Sequence, residues 1–110
     1  MAVTVVRYTT KPDRGDENQA LVEAVFAELA ETQPEGLRYA TVRLDDGVSF
    51  VHVAAVDTAD GTNPLTAVAA FGAFQRELAD RLVDGPAVTP GTVIGAYGFP
   101  LTVGTDGDVR

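Results

Sequence analysis

Residues 37–56 read Leu37-Arg-Tyr-Ala-Thr-Val-Arg43, then Leu-Asp-Asp-Gly47, then Val48-Ser-Phe-Val-His52-Val-Ala-Ala-Val56. Asp45-Asp46-Gly47 supplies the residue types of a tight hairpin turn. Before the turn, residues 37–44 alternate unevenly and carry Arg38 and Arg43, as a half-exposed or edge strand does. After it, residues 48–56 are apolar on both faces, as in a central strand. The stretch predicts a β-hairpin with its second strand deep in a sheet.

The flanking sequence builds outward from this hairpin. Residues 3–8 are β-branched and aromatic and end at Lys11-Pro12-Asp13-Arg14-Gly15, which predicts a first strand. Asp16 with Gln19 three residues on fits a capping box. Leu21, Val22, Val25, Phe26 and Leu29 come next at helical spacing, and Pro34 and Gly36 close a helix over about 17–32. Beyond the hairpin, Asn63 suits a second cap with Pro64 at the first helical position. Val68, Phe71, Phe74, Leu78 and Leu82 form one stripe, stopped by Asp84-Gly85-Pro86. Arg76 with Asp80 and Glu77 with Arg81 are i,i+4 pairs for the wet face. A last strand is expected over 92–99, and residues 101–110, rich in Gly and Asp, read as a loose tail.

Strand, helix, strand, strand, helix, strand is the ferredoxin-like βαββαβ order, an α+β fold with an antiparallel sheet in one domain over residues 1–100. Both helices then cover one sheet face. The other face offers Val3, Val5, Val51, Val53 and Ala55, too apolar to leave in water. A second copy of the chain is the expected cover, with loops and the tail as the alternative.

Composition narrows the function. The 110 residues hold sixteen acids against eight bases, a formal charge of -8. That argues against nucleic acid or an anionic membrane surface as partner. With no cysteine and one histidine, thiolate chemistry, iron–sulfur clusters and multi-histidine metal sites are excluded within one chain. No signal-peptide pattern or apolar run of membrane-spanning length is present, so a soluble cytoplasmic protein is expected. The acids at Asp57, Asp60, Asp106 and Asp108 lack EF-hand spacing and read as solvated. No P-loop, dinucleotide fingerprint or nucleophile elbow occurs.

The Pro12–Gly15 loop into a Glu-rich helix, Glu35-Gly36-Leu37-Arg38-Tyr39 leading into the second strand, and Phe71-x-x-Phe74 on the second helix resemble the antibiotic-biosynthesis-monooxygenase (ABM) superfamily. The likeness covers about residues 3–99 and rests on order and spacing. It implies a dimeric α+β barrel, two ferredoxin-like sheets back to back, and a family that includes cofactor-independent monooxygenases of quinols and polyketide aromatics as well as haem-degrading enzymes. The haem-degrading members carry Asn, Trp and His where this chain has Val6, Val56 and Gln75, so haem cleavage is not implied. The segment 56–65 is longer than the family's usual link.

Candidate site residues come from phase and resemblance together. His52 shares a strand face with Phe50, Ala54 and Val56. If Val56 takes the family's cavity-facing Trp place, the resemblance implies that this face turns toward the helices. A histidine there suits general-base work, taking a phenolic or enolic proton to leave an anion that reacts with dioxygen. A hydrogen-bonded core histidine, or one at the dimer face, is the competing reading. Gln75 falls within the apolar stripe of the second helix, a buried amide that needs partners or a ligand. Val6, Tyr8, Val56, Phe71, Phe74 and Leu78 are expected to line the same inter-layer space, with Tyr39 and Tyr97 offering hydroxyls to a quinone-like oxygen. Arg7 lies on the opposite face, suited to a salt bridge. No cofactor and no metal are expected. An oxygenase of a phenolic, quinol or polyketide-like aromatic and a non-catalytic binder of a small apolar ligand both fit.

Overall fold

The computed structural model describes residues 2–99. The expected tail at 101–110 lies outside the described residues. Four strands form one antiparallel sheet in the order β2-β3-β1-β4: β1 is Ala2–Thr10, β2 Leu37–Arg43, β3 Ser49–Val56 and β4 Leu82–Gly91. β1 and β3 are central, as the ferredoxin-like order requires. Period-two alternation puts Thr4, Val6 and Tyr8 on one face beside Ala54, His52 and Phe50, whose registered partners they are. Helix α1, Gly15–Thr32, covers that face together with α2, Ala69–Gln75. Tyr8, Val22, Val25, Phe50, Leu65, Val68, Phe74 and Leu82 make the core between the layers. Tyr8 and Phe50 stack there at 5.5 Å and 18°.

The hairpin forms as read, turning through residues 44–48 with the Asp46 carboxylate accepting the Val48 and Ser49 N–H groups. α1 also forms, but its first turn differs from the capping box. Arg14 is the N-cap and makes no side-chain cap bond. The reason is Arg43 across the layer, which donates to Asp16 Oδ1 at 3.0 Å and Gln19 Oε1 at 2.7 Å. Its other guanidinium hydrogens reach the Gly47 carbonyl. Gly15 is buried in this junction, where a Cβ would stand 2.5 Å from that carbonyl oxygen.

The second helix is broken rather than continuous. Asn63 does cap, accepting from Leu65 N–H, but it opens a 3-10 turn, Pro64–Ala67, before Val68 extends and α2 begins. The Glu28 carboxylate of α1 accepts the Ala69 and Ala70 N–H groups at the start of α2. After Gln75 the chain extends at Arg76 and turns left-handed at Glu77 (φ 61°), and a single turn α3, Leu78–Arg81, leads straight into β4. The break dissolves both expected i,i+4 pairs: Arg81 is buried and bonds elsewhere, and Arg76 and Asp80 form no ion pair.

The fourth strand is also a correction. It occupies 82–91, not 92–99, and starts at the last residue of the expected helical stripe, Leu82, registered against Thr10. Gly and Pro in this segment argue against a strand, but an edge strand tolerates them, and pairing with the free edge of β1 overrides propensity. The displaced residues cross to the outer sheet face, where Val93 buries against Val3 and Ala55 with Val53 beside it. Ile94, Tyr97 and Phe99 stay exposed, Tyr97 almost completely at 99%. Among the described residues no helix is long and apolar enough to cross a membrane.

Candidate functional site

A cavity of about 200 Å³ opens between the helix-bearing sheet face and the broken second helix. Val6 and Val88 form its strand side, Phe71, Phe74 and Leu78 its helix side. Tyr8, Tyr39 and His52 project into the same space from β1, β2 and β3. The lining is mostly apolar, so a ligand would be held largely by leaving water.

His52 is 4% exposed and makes three side-chain contacts. Nε2 lies 2.7 Å from the Tyr8 hydroxyl. Nδ1 lies 2.7 Å from the Tyr39 hydroxyl and 3.1 Å from Thr41 Oγ1. The chain of bonds continues inward. Asn18 Nδ2 donates to the Tyr8 hydroxyl at 2.8 Å, and Arg81 Nε donates to Asn18 Oδ1 at 3.2 Å. Arg81, 2% exposed, also donates to the Phe74 and Arg76 carbonyls and lies over the Phe74 ring. Those carbonyls are available because the helix breaks at 76–77, leaving them without the amide partners a continuous helix supplies. Among the described residues every buried side-chain polar atom has a partner.

The electrostatics follow from burial. Desolvation pulls His52 down from 6.5 to about 4, so the ring is neutral at physiological pH. Desolvation likewise lifts Tyr8 to about 12, against the opposing Asn18 hydrogen bond, and raises Tyr39. Burial also lowers Arg81, while Glu17 and Tyr8 act in the other direction. The guanidinium keeps its charge. It is the one formal charge in the chain of bonds, and no carboxylate pairs with it among the described residues.

Of the residues singled out from sequence, His52, Tyr8, Tyr39, Val6, Phe71, Phe74, Leu78 and Gln75 meet at this cavity. Gln75 does so as a side chain at the rim, not as a buried amide, because α2 ends there. Val56 does not line it: the cavity stops at Ala54 and Thr4, one step short on that face. Tyr97 is excluded by the shift of β4. Arg7 is exposed on the outer face and forms no ion pair among the described residues. Both His52 nitrogens are engaged by hydroxyls, and the ring links the two tyrosines. Asn18, Thr41 and Arg81 also bond into the array, though none of the three is among the candidates read from sequence. Asn18 repeats at i+4 and i+7 with buried Val22 and Val25, a polar residue in phase with a core stripe. Arg81 stands in the same relation to Phe74 and Leu78.

No family model and no curated protein matches the chain. Solved structures do. A Nitrosomonas europaea protein assigned as an antibiotic biosynthesis monooxygenase superposes with a TM-score of 0.69 at 20% identity, covering 88% of this chain and 100% of its own. Rv0793 from Mycobacterium tuberculosis gives 0.67 at 17%, covering 88% and 98%. A mutant of SnoaB, a cofactor-independent oxygenase from Streptomyces nogalater, gives 0.63 at 20%, covering 88% and 96%. The chain has the ABM fold. Within that fold the cavity lies between the sheet and the second helix, and the two central strands supply His52 and Tyr8 to it. At these identities the likeness carries the architecture, and the chemistry must be argued from the residues themselves.

Proposed function

We propose that this protein is a cofactor-independent monooxygenase of a small phenolic or quinol-type aromatic, working as a homodimer. The observation that carries the reading is the aromatic-walled cavity with the Tyr39–His52–Tyr8 hydroxyl–imidazole array at its sheet side. Its volume of about 200 Å³ falls below the range usual for drug-sized ligands and suits one or two fused rings. Phe71 and Phe74 offer flat faces, and Tyr39 offers the polar contact that orients a ligand oxygen.

The chemistry needs no added reductant. An ionised phenol is electron-rich enough to pass an electron to dioxygen, and recombination forms a carbon–oxygen bond at the ring carbon para to the phenolic oxygen. The resulting hydroperoxide loses water to give a carbonyl. One oxygen atom stays in the product quinone, the other leaves as water, and the substrate ring supplies all four electrons. The protein's share is to bind the anion, hold it out of water and keep the ring flat against the phenylalanines.

The outer sheet face supports the dimer. Val93 covers part of the Val3–Ala55 patch, while Ile94, Tyr97, Phe99 and Val42 remain exposed. Light scattering at micromolar concentration should give twice the chain mass; a monomer would refute this part.

The oxygenase reading is tested with an oxygen electrode over hydroquinones, naphthols and hydroxylated naphthoquinones. For the naphthols, one dioxygen consumed per quinone formed, saturable in substrate, is the expected result. The fully satisfied polar array, with no free base, favours one second reading, a non-catalytic binder of the same ligands. Tight binding without oxygen uptake would establish that instead.

A further inference from the structure

A neutral imidazole carries one hydrogen on its two ring nitrogens. With a tyrosine hydroxyl at 2.7 Å from each, one tyrosine must donate to the ring and the other must receive from it. Arg81 decides which. A guanidinium only donates, so its bond to Asn18 fixes Oδ1 on that side and turns Nδ2 toward Tyr8. The Tyr8 oxygen therefore already receives one hydrogen. If it also received one from Nε2, its own hydrogen would be buried with no acceptor, the costly arrangement. Tyr8 thus donates to Nε2, the ring hydrogen sits on Nδ1, and Nδ1 donates to Tyr39. The Tyr39 oxygen keeps its own hydrogen, which the ring does not take up, and Thr41 Oγ1 is the other hydroxyl beside Nδ1, at 3.1 Å.

We propose that Asn18 and Arg81 are positioning residues that polarise this chain of bonds in one direction, so that Tyr39 presents a hydroxyl hydrogen to the cavity and the site receives a ligand oxyanion. Every hydrogen in the sequence Arg81, Asn18, Tyr8, His52, Tyr39 points from the buried cation toward the ligand. Such a site recognises a phenolate or enolate, not a neutral phenol that must surrender its proton inside. The substrate class narrows to hydroxylated aromatics acidified by a conjugated carbonyl or similar group, ionised in neutral water before they bind. This rests on the oxygenase reading for its substrate class, but the direction of the hydrogen bonds stands apart from any turnover.

Because the protein holds one histidine, nitrogen-15 labelling of histidine reports on His52 alone. In the wild-type protein at neutral pH the hydrogen should be on Nδ1; finding it on Nε2 overturns the proposal. Asn18→Leu removes the contact that forces this tautomer, and the population should move toward Nε2–H. Tyr8→Phe leaves an Nε2 hydrogen without an acceptor and should keep Nδ1–H. A Nδ1–H population unchanged in folded Asn18→Leu overturns the role of Asn18 and Arg81. 4-Nitrophenol, whose ionised form absorbs visibly, tests the ligand clause. Its acid dissociation constant should rise about tenfold or more on binding, as a charge-assisted hydrogen bond allows. A bound neutral phenol, or no binding at millimolar concentration, overturns that clause. Absence of oxygen uptake with correct tautomer and bound phenolate would sink the oxygenase reading and leave this one standing.

Discussion

Acid should destabilise this protein through His52. The folded ring is held neutral by burial, with a pKa of about 4 against 6.5 in the unfolded chain. Between these values the unfolded state binds the extra proton, so stability rises with pH across that window. The contribution is complete above pH 6.5 and is lost as pH falls toward 4. At roughly 1.4 kcal/mol per pH decade the total is about 3 kcal/mol, of which about 2 kcal/mol is gone by pH 5. In a domain of this size that lowers Tm by on the order of 10 °C. The assay is urea unfolding of the wild-type protein and His52→Gln at pH 7.5 and pH 5.0. Glutamine keeps a donor and an acceptor between the tyrosines but cannot titrate, so both chains share every carboxylate effect and differ only at residue 52. The wild type should lose about 2 kcal/mol more than the variant between the two pH values. Equal losses would show that the folded ring takes up its proton at an ordinary pH, and the neutral-histidine argument would fall.

Tyr39→Phe keeps the stack on Phe26 at 5.0 Å but removes the hydroxyl, and should weaken phenolate binding by roughly 10- to 100-fold in titration calorimetry. Thr41 Oγ1, 3.1 Å from Nδ1, remains to accept the ring hydrogen, so the urea midpoint should change little. Phe50→Ala empties a site that is 1% exposed and should cost about 3–5 kcal/mol in urea unfolding. Gly36→Ala forces a side chain into φ 81° with its Cβ 2.7 Å from the Asp57 carbonyl oxygen; a loss of about 1–3 kcal/mol or more is expected by the same measurement.

The hairpin and the first helix are legible because each carries a local signal, a turn triplet between two strand patterns and an apolar stripe with clear stops. The four-strand order follows from them. The second half is harder to read. A 3.6-residue period from Val68 to Leu82 reads as one helix, yet that period cannot reveal a left-handed residue at Glu77 or the strand that begins at Leu82. Those are set by the open edge of β1, a partner more than seventy residues away in sequence. The candidate site shows the same division. Tyr8, His52 and Tyr39 are recognisable by strand phase, since side chains two apart share a face. Arg81 reads as a solvent residue because charged residues are rarely buried without a partner, and the carbonyls that hold it exist only once the helix is broken.

The buried guanidinium has a kinetic consequence. It is a positive charge near the cavity of a chain whose formal net charge is -8. An anionic ligand approaching from solvent first meets a repulsive field and is drawn in only at short range. Salt screens the outer field over a Debye length of about 8–10 Å while leaving the buried charge nearly untouched. Ionic strength should therefore speed the entry of a phenolate rather than slow it, the reverse of electrostatically steered association. Neutral aromatics of the same shape would enter at a rate indifferent to salt. The protein would then sort its ligands partly by speed of arrival, with the selectivity set by the medium as well as by the cavity.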